Sequence, residues 1–257
     1  MSKYQIVKSA FFAVISILLV LYFILSISVW WFVLPIIIFV AITTYGVLNI
    51  DFNYFFTSIS KGETDTFQIA LTFDDGPVLQ TLEMLALLKR EQIPATFFCI
   101  GKNIEENAEI LKQIDAEKNL IGNHSYSHSK TFDLLSSEKM LEEILQTQKI
   151  IEAQIGKRAK FFRPPYGITN PPLAKAFAQS KLVSIGWSAR AFDTTEKDEN
   201  KIFKNICAQL SHGTIVLLHD RVPHTLRVTA KLINFCNANE IEIVPLDKLL
   251  HLDAYEI

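Results

Sequence analysis

The chain has 257 residues, 25 Lys and Arg against 27 Asp and Glu, and a formal net charge of −2. That near balance leaves no basic footprint, which excludes nucleic acid as a partner. Its 3 cysteines, Cys99, Cys207 and Cys236, are scattered without a CxxC pair, so they read as small buried hydrophobes and not as a disulfide framework or metal site.

The hydrophobic excess sits at the N-terminus. Between Lys8 and Asp51 no residue is charged, a run long enough for two membrane spans of about 20 residues each. Phe11 to Ile27 is predicted as the first span and Phe32 to Leu48 as the second. Ser26, Ser28, Trp30 and Trp31 form an interface-seeking turn between them. Pro35 lies near the start of the second span, where membrane helices tolerate it. A signal peptide fits less well, because the first apolar block is long and a second follows at once. Residues 1–50 are therefore expected to form a transmembrane hairpin that anchors the protein in the cell membrane. Lys3 and Lys8 precede the first span, whereas Asp51, Glu63 and Asp65 outnumber Lys61 after the second. The positive-inside rule then places the following domain in the cytoplasm, with an extracytoplasmic domain as the alternative. Residues 51–65 read as an interfacial segment and linker, and the aromatic stretch Phe52 to Phe56 suits either the headgroup layer or core packing.

From residue 66 to 257, strand-like and helix-like blocks alternate. Phe67–Phe73 is a predicted strand, Leu79–Glu91 a helix, Ala95–Ile100 a strand, and Asn103–Glu117 one helix. Leu120–Asn123 is a strand and Ser136–Ile155 a long helix, followed by strand Phe161–Arg163 and helix Pro171–Gln179. Strand Leu182–Ser188, helix Glu199–Leu210, strand Thr214–Leu218 and helix His224–Ala238 continue the beat. Ile241–Pro245 and a short helix at Leu246–Leu250 close it. Such repetition implies a parallel sheet with helices outside. Seven units fit an α/β barrel somewhat short of the eight-unit form, with the site at the C-terminal ends of the strands.

Chemistry-bearing residues fall at those ends. Asp74-Asp75-Gly76-Pro77 follows the first strand, and two adjacent acids at a buried strand mouth call for a cation or an arginine. A solvated turn is the plainer reading of those four residues alone. His124 and His128 are four apart, which on a helical turn would point both imidazoles one way. With one carboxylate they make a set that zinc, cobalt or another first-row divalent metal accepts with positions left open. Asn123-His124-Ser125 also spells a glycosylation sequon, but a glycan there would block the cluster. The other aspartate of the pair is then free as a general base toward water. His219 can protonate a leaving amine from the opposite side, or it is a core histidine satisfied by Asp220. Arg163 can pair with a buried aspartate and hold it ionised. Together these residues suit metal-assisted hydrolysis of an amide or ester.

Thr72-Phe73-Asp74-Asp75-Gly76-Pro77, the His-Ser-x-x-His of 124–128, Arg163-Pro164-Pro165-Tyr166 and the Leu-x-His ending at His219 resemble, in order, the motifs of the polysaccharide deacetylase family. This is the NodB-homology domain of carbohydrate esterase family four. The resemblance covers the predicted soluble domain and not the hairpin. It implies a distorted (β/α)7 barrel that removes N-acetyl groups from amino sugars. It further implies Asp75, His124 and His128 as metal ligands, Asp74 as base and His219 as acid. Arg163 would tune Asp74, Asp193 would orient His219, and the backbone N–H of Tyr166 would help bind the oxyanion. Two positions depart from the family pattern: Ser129 stands where proline is usual, and Arg190 where an acid is usual, which bears on substrate preference.

The expected function is therefore metal-dependent removal of a short N-acyl group from an amino sugar of a cell-envelope glycan or its precursor. The alternatives are deacylation of a sugar on a polyprenyl-phosphate carrier at the membrane and a carbohydrate-binding pseudoenzyme without turnover. Arg190, with Arg221 and His224, could face a carrier phosphate, or Arg190 could pair with Asp193.

Overall fold

The computed structural model describes residues 1–256. It opens with two apolar helices, α1 (Lys3–Leu25) and α2 (Val33–Leu48), joined through a 3-10 turn at Val29–Phe32. Segments Lys3–Leu25 and Val29–Leu48 are long and apolar enough to cross a membrane, with mean hydropathies of 2.4 and 2.2. Ser2 and Gln5 close a reciprocal capping box at the start of α1, and Ser26 ends the helix in the left-handed region. The first helix therefore begins well before the span predicted from hydropathy, whereas the second matches its predicted span to within one residue. Trp30 and Trp31 are exposed at the tip of the hairpin.

The remaining chain runs β1 (Ser58–Ile59), β2 (Gln68–Asp74), α3 (Leu79–Glu91), β3 (Thr96–Cys99), α4 (Gly101–Glu106), α5 (Ala108–Ala116) and β4 (Leu120–Asn123). It continues through α6 (Ser137–Ile155), β5 (Arg158–Ala159), β6 (Phe161–Phe162), α7 (Pro171–Ser180), β7 (Val183–Ile185) and β8 (Ala189–Arg190). It ends with α8 (Glu199–Gln209), β9 (Thr214–His219), α9 (Thr225–Ala238), β10 (Glu242–Ile243), α10 (Leu246–Leu250) and β11 (Tyr255–Glu256). The main sheet has the order β1-β7-β6-β4-β3-β2-β9-β8, with β10 also on β2. Its named strand pairs are all parallel, as the alternating pattern requires. The sheet curls into the expected distorted barrel, open between its edge strands.

Some elements differ from their sequence-based boundaries. The single helix expected over Asn103–Glu117 is two, because Asn107 leaves helical geometry (φ −134°, ψ 44°). Its side-chain amide donates to the Asn103 and Pro77 carbonyls, the competition with the backbone that makes Asn a poor interior helix residue. The strand expected over Leu182–Ser188 is shorter, β7 at Val183–Ile185, and a separate strand, β8, follows beyond it at Ala189–Arg190. The segment 51–65 supplies β1, whose Ser58 and Ile59 pair with Ser184 and Ile185 of β7. Within it Tyr54 and Phe55 are buried, and Phe56 stacks on Phe177 at 4.9 Å. Of the two roles considered for the aromatic stretch, these residues take core packing.

Strand parity sorts the core. On β2, Ile69, Leu71 and Phe73 face the outer helices and join the large core cluster with Met84, Leu88, Val228 and Leu232. Ala70 faces inward with Phe98, Phe161, Ile185 and Ile215. Thr72 and Asp74 share the inward face with Ala70 by the two-residue repeat of a strand. The barrel interior is thus apolar at one end and turns polar at the C-terminal ends of its strands. Cys99 and Cys236 are buried free thiols, as read from their spacing.

The hairpin docks on the barrel by the open ends of its helices. The Tyr4 amide donates to the Tyr54 carbonyl at 2.9 Å, and Lys3 Nζ reaches the Phe52 carbonyl at 2.8 Å. Thr169 donates its amide to Val47 O and its hydroxyl to Gly46 O, both at 3.1 Å. Those carbonyls belong to the last turn of α2, which has no intrahelical donors for them. The barrel itself therefore caps the second apolar helix.

Candidate active site

Asp74 is the last residue of β2 and pairs in register with His219, the last of β9. Both side chains reach the same cleft, of about 360 Å³, also lined by Asp75, His124, His128, Tyr166, Trp187, Arg190 and Arg221. Asp75 lies just beyond the strand with φ 77°. This left-handed turn lets two consecutive carboxylates enter one cavity instead of opposite faces of the sheet.

Asp74 is buried, and its Oδ1 accepts from Arg163 Nη1 at 2.7 Å. Arg163 is fully buried. Its guanidinium also donates to Thr72 Oγ1 at 2.8 Å, to the Gly186 carbonyl at 2.8 Å and to the Ile185 carbonyl at 3.2 Å. Phe98 lies beneath it, 4.1 Å from ring centroid to Cζ. Burial lowers the Arg163 pKa, and the Asp74 carboxylate opposes that shift. A buried charge is tolerated here because its donors are satisfied. The pairing expected between Arg163 and an aspartate is thus with Asp74, and Thr72, whose hydroxyl donates to the Val216 carbonyl at 2.7 Å, gives the guanidinium a further acceptor.

His124 follows β4 and is buried. Its Nδ1 lies 2.7 Å from the Arg163 carbonyl. A carbonyl can only accept, so Nδ1 carries the proton and Nε2 presents a lone pair. That Nε2 is 3.6 Å from Asp75 Oδ1, and His128 Nε2 is 3.5 Å from the same oxygen. The two histidines converge, but not on a helical turn as their spacing suggested. Residues 124–128 form a tight loop with Ser125 (φ 63°) and His128 (φ 46°) in the left-handed region. Ser125 Oγ accepts the His128 amide at 3.2 Å, and Asn123 Oδ1 accepts the Ser125 amide at 3.0 Å. Glu143 on α6 accepts the amides of Tyr126 and Ser127, a loop-holding role that only the tertiary fold reveals. The sequon residue Asn123 is wholly buried, its amide donating to Ile144 O.

These ligand atoms of Asp75, His124 and His128 lie within 4.8 Å of one another, close enough to hold one metal ion. Asp75 Oδ1, which faces both imidazoles, is buried and has no hydrogen-bond partner. A buried carboxylate oxygen left without a donor is costly, and a cation at this position would satisfy it. The donor set therefore fits a divalent metal. Burial pushes the Asp75 carboxyl up, but His124, His128, His219 and Arg221 together hold it below its usual value. Burial, with His124 beside it, lowers His128 to about 4, so its imidazole is neutral and able to coordinate near neutral pH. Asp75 Oδ2 accepts from Arg221 Nε at 2.6 Å. Arg221 was grouped with Arg190 on sequence grounds, and the fold gives it this separate partner.

His219 is satisfied by Asp193 and not by Asp220. Its Nδ1 lies 2.9 Å from Asp193 Oδ1, and its amide donates to Oδ2 at 2.8 Å. Thr225 Oγ1 also donates to Asp193 Oδ2, at 2.7 Å. Burial presses the His219 pKa down, but the Asp193 bond and charge, with Asp74 and Asp75, raise it above its usual value. Asp220 instead points away, accepting from Thr81 at 2.5 Å, and burial lifts it to about 7.

Tyr166 sits in the loop after β6 with φ 59° and ψ 0°. Its ring packs 4.6 Å from His128, and its hydroxyl donates to the His128 carbonyl at 3.2 Å. The amides of Gly167 and Ile168 are used within the turn, on Pro164 and Pro165 carbonyls. Gly167 (φ 68°) lies against Trp187, where a Cβ would have no room. Asp74, Asp75, His124, His128, Tyr166 and His219 thus line one cleft with Arg190 and Arg221, while Arg163 and Asp193 do not line it and instead pair with Asp74 and His219.

The chain matches the polysaccharide deacetylase family over residues 61–184. It is 33% identical over 160 residues to a peptidoglycan-N-acetylglucosamine deacetylase of Bacillus cereus, covering 62% of this chain and 58% of that enzyme. It thus spans less than two thirds of that relative. A chitooligosaccharide deacetylase of Rhizobium leguminosarum is 33% identical over 156 residues, which cover 60% of this chain and 68% of that one. The solved peptidoglycan deacetylase PdaC of Bacillus subtilis superposes with a TM-score of 0.67 at 31% identity, over 72% of this chain and 90% of the other. With the motif residues gathered at the C-terminal mouth of a parallel (β/α)7 barrel, these likenesses lead to one conclusion: the chain belongs to the polysaccharide deacetylase family.

Proposed function

We propose that the protein is a membrane-anchored, metal-dependent deacetylase that hydrolyses the N-acetyl group of an amino sugar in a cell-envelope glycan or its precursor. The observation that carries the reading is the cleft in which Asp74, held by Arg163, and His219, held by Asp193, flank the unsatisfied oxygen of Asp75. Relatives named for peptidoglycan and chitooligosaccharide deacetylation support the substrate class.

In this proposal Asp75, His124 and His128 hold the cation, with zinc the expected metal for a two-imidazole, one-carboxylate set. When bound, the metal supplies Lewis acidity and brings water's pKa toward about 7. Asp74 takes a proton from the attacking water as its oxygen adds to the acyl carbon. Arg163 donates to Asp74 Oδ1 at 2.7 Å and leaves its second oxygen, Oδ2, 3.7 Å from His124 Nε2. The Tyr166 amide donates to the oxygen that gains charge. His219 then gives a proton to the sugar nitrogen as the C–N bond breaks, releasing acetate and the free amine. Asp193 holds His219 in the tautomer whose Nε2 carries that proton.

The apolar helices support anchoring, since about 30 Å of hydrocarbon is spanned by about 20 helical residues. Docking of the barrel against the helix ends holds the cleft near the membrane surface, which favours, as a second reading, a sugar borne on a lipid carrier. Acetate release from N-acetylated chitooligosaccharides, peptidoglycan fragments and lipid-linked amino sugars is the direct test. Activity should vanish on chelation and return with zinc. Metal-loaded protein that releases acetate from none of the three would overturn the proposal.

A further inference from the structure

Each carboxylate of the cleft and of the pairs behind it already has a partner through at least one oxygen. Asp74 is held by Arg163, Asp75 by Arg221, and Asp193 by His219 and Thr225. Two cations lining the same cleft, Arg190 and Lys130, have no carboxylate partner among the described residues. The pairing of Arg190 with Asp193 that the sequence allowed is not made.

Arg190 is nevertheless well supported. Its guanidinium lies over the rings of Phe192, at 4.8 Å, and Trp187, at 5.7 Å. Its backbone is pinned at both ends, the amide donating to Gln209 Oε1 at 3.1 Å and the carbonyl accepting from Asn205 Nδ2 at 2.8 Å. A guanidinium stacked on aromatic faces keeps its planar fork of N–H donors free along the edge, already ordered before a ligand arrives. An arginine held in this way, with no carboxylate paired to it, attracts an anion.

We infer that Arg190, assisted by Lys130, forms a subsite for an anionic group, a phosphate or a carboxylate, carried by the substrate beside its N-acyl sugar. The inference rests on the deacetylase reading for the position of that sugar. Arg190 supplies the paired donors and is joined by Lys130, exposed in the loop after His128 and lining the same cleft, which adds a second positive charge. Arg221 is not part of the subsite, because it is committed to Asp75.

The test is binding to the full-length, zinc-loaded protein carrying Asp74→Asn, which removes turnover. N-acetylglucosamine, N-acetylglucosamine 1-phosphate and N-acetylmuramic acid are titrated with and without Arg190→Gln. With Arg190 present, at least one anionic sugar should bind about tenfold tighter than the neutral one, the scale of one charge-assisted hydrogen bond. Arg190→Gln should erase that margin while affinity for the neutral sugar changes less than about twofold, and Arg190→Lys should restore part of it. A margin for the phosphate alone assigns the subsite to phosphate-linked sugars, and a margin for the carboxylate alone to acidic glycan units. Equal affinities for all three sugars, or a margin that survives Arg190→Gln, would overturn the inference. If the wild-type protein releases no acetate yet shows the Arg190-dependent margin, the deacetylase proposal fails and the anion subsite stands.

Discussion

Asp193 binds both the ring and the amide of His219, and this double hold has a consequence for pH. Burial disfavours the imidazolium, but the Asp193 partner and the nearby Asp74 and Asp75 outweigh it and raise the His219 pKa. A raised folded-state pKa means that His219 keeps its proton to higher pH than a free imidazole. Its pairing contributes stability fully present below the unfolded pKa and lost as pH rises through the folded one. As the proposed acid of the reaction, His219 should set the alkaline limb of the kcat/KM profile. Asp193→Asn is expected to move that limb to lower pH, and an unshifted limb would remove Asp193 from this role. Asp74→Asn has a different signature. The proposed ligands Asp75, His124 and His128 remain, so metal content measured by elemental analysis should be unchanged. Turnover should fall by about 10²–10⁴, the usual contribution of a positioned base. Arg163 keeps Thr72 and two carbonyls as acceptors, so the variant should still fold. Full activity in Asp74→Asn would contradict the assignment of the base. His128→Ala should instead lose metal and activity together, because it removes a coordinating atom.

At the scale of elements, the loop from Arg163 to Thr169 does two jobs. One end carries the Arg163 clamp and Tyr166, and the other caps α2 through Thr169. Ile50, just past α2, is buried near Gly186, the residue whose carbonyl accepts from Arg163. Hairpin and site loop are thus built into one another. Thr169→Val would leave the Gly46 carbonyl without its side-chain donor at a buried helix end. A loss of about 1–3 kcal/mol is expected, read as a lowered unfolding midpoint in detergent, with metal content unchanged. An unaltered midpoint would mean that water replaces the hydroxyl and that the docking is looser than its hydrogen bonds suggest.

For the whole molecule, the hairpin has a direction. Its tip bears Trp30 and Trp31, side chains that favour the membrane interface, while both helix ends meet the barrel. The barrel and the N-terminus therefore belong on the same side of any bilayer the hairpin crosses. Lys3 and Lys8 bias that side toward the cytoplasm. Reporter fusions or protease protection should find residues beyond 66 on the cytoplasmic side. Protection of that domain from a cytoplasmic protease would reverse the orientation and favour a wall polymer over a lipid-borne sugar.

The apolar run between Lys8 and Asp51, the strand-helix alternation and the motif residues were all legible in the chain, because each is a local pattern. Hydropathy needs only neighbours, parity needs only a strand, and Asp74-Asp75, His124, His128, Arg163 and His219 each lie at a strand end that the pattern marks. Partner choice was not legible from composition or spacing, and only the family resemblance paired Arg163 with Asp74 and Asp193 with His219. That Arg163 takes both Asp74 and Thr72, that Asp193 and not Asp220 serves His219, and that Arg221 binds Asp75 are decided by residues 26 to 146 positions apart in sequence. The histidine loop misled a helical reading because two positive-φ residues replace the helical turn, and single-residue dihedrals leave little trace in composition. The burial of Tyr54 and Phe55 was undecided for a related reason. An aromatic side chain suits a headgroup layer and a core equally well, and only the docking of Gly46, Thr169 and β1 around that segment removes it from water.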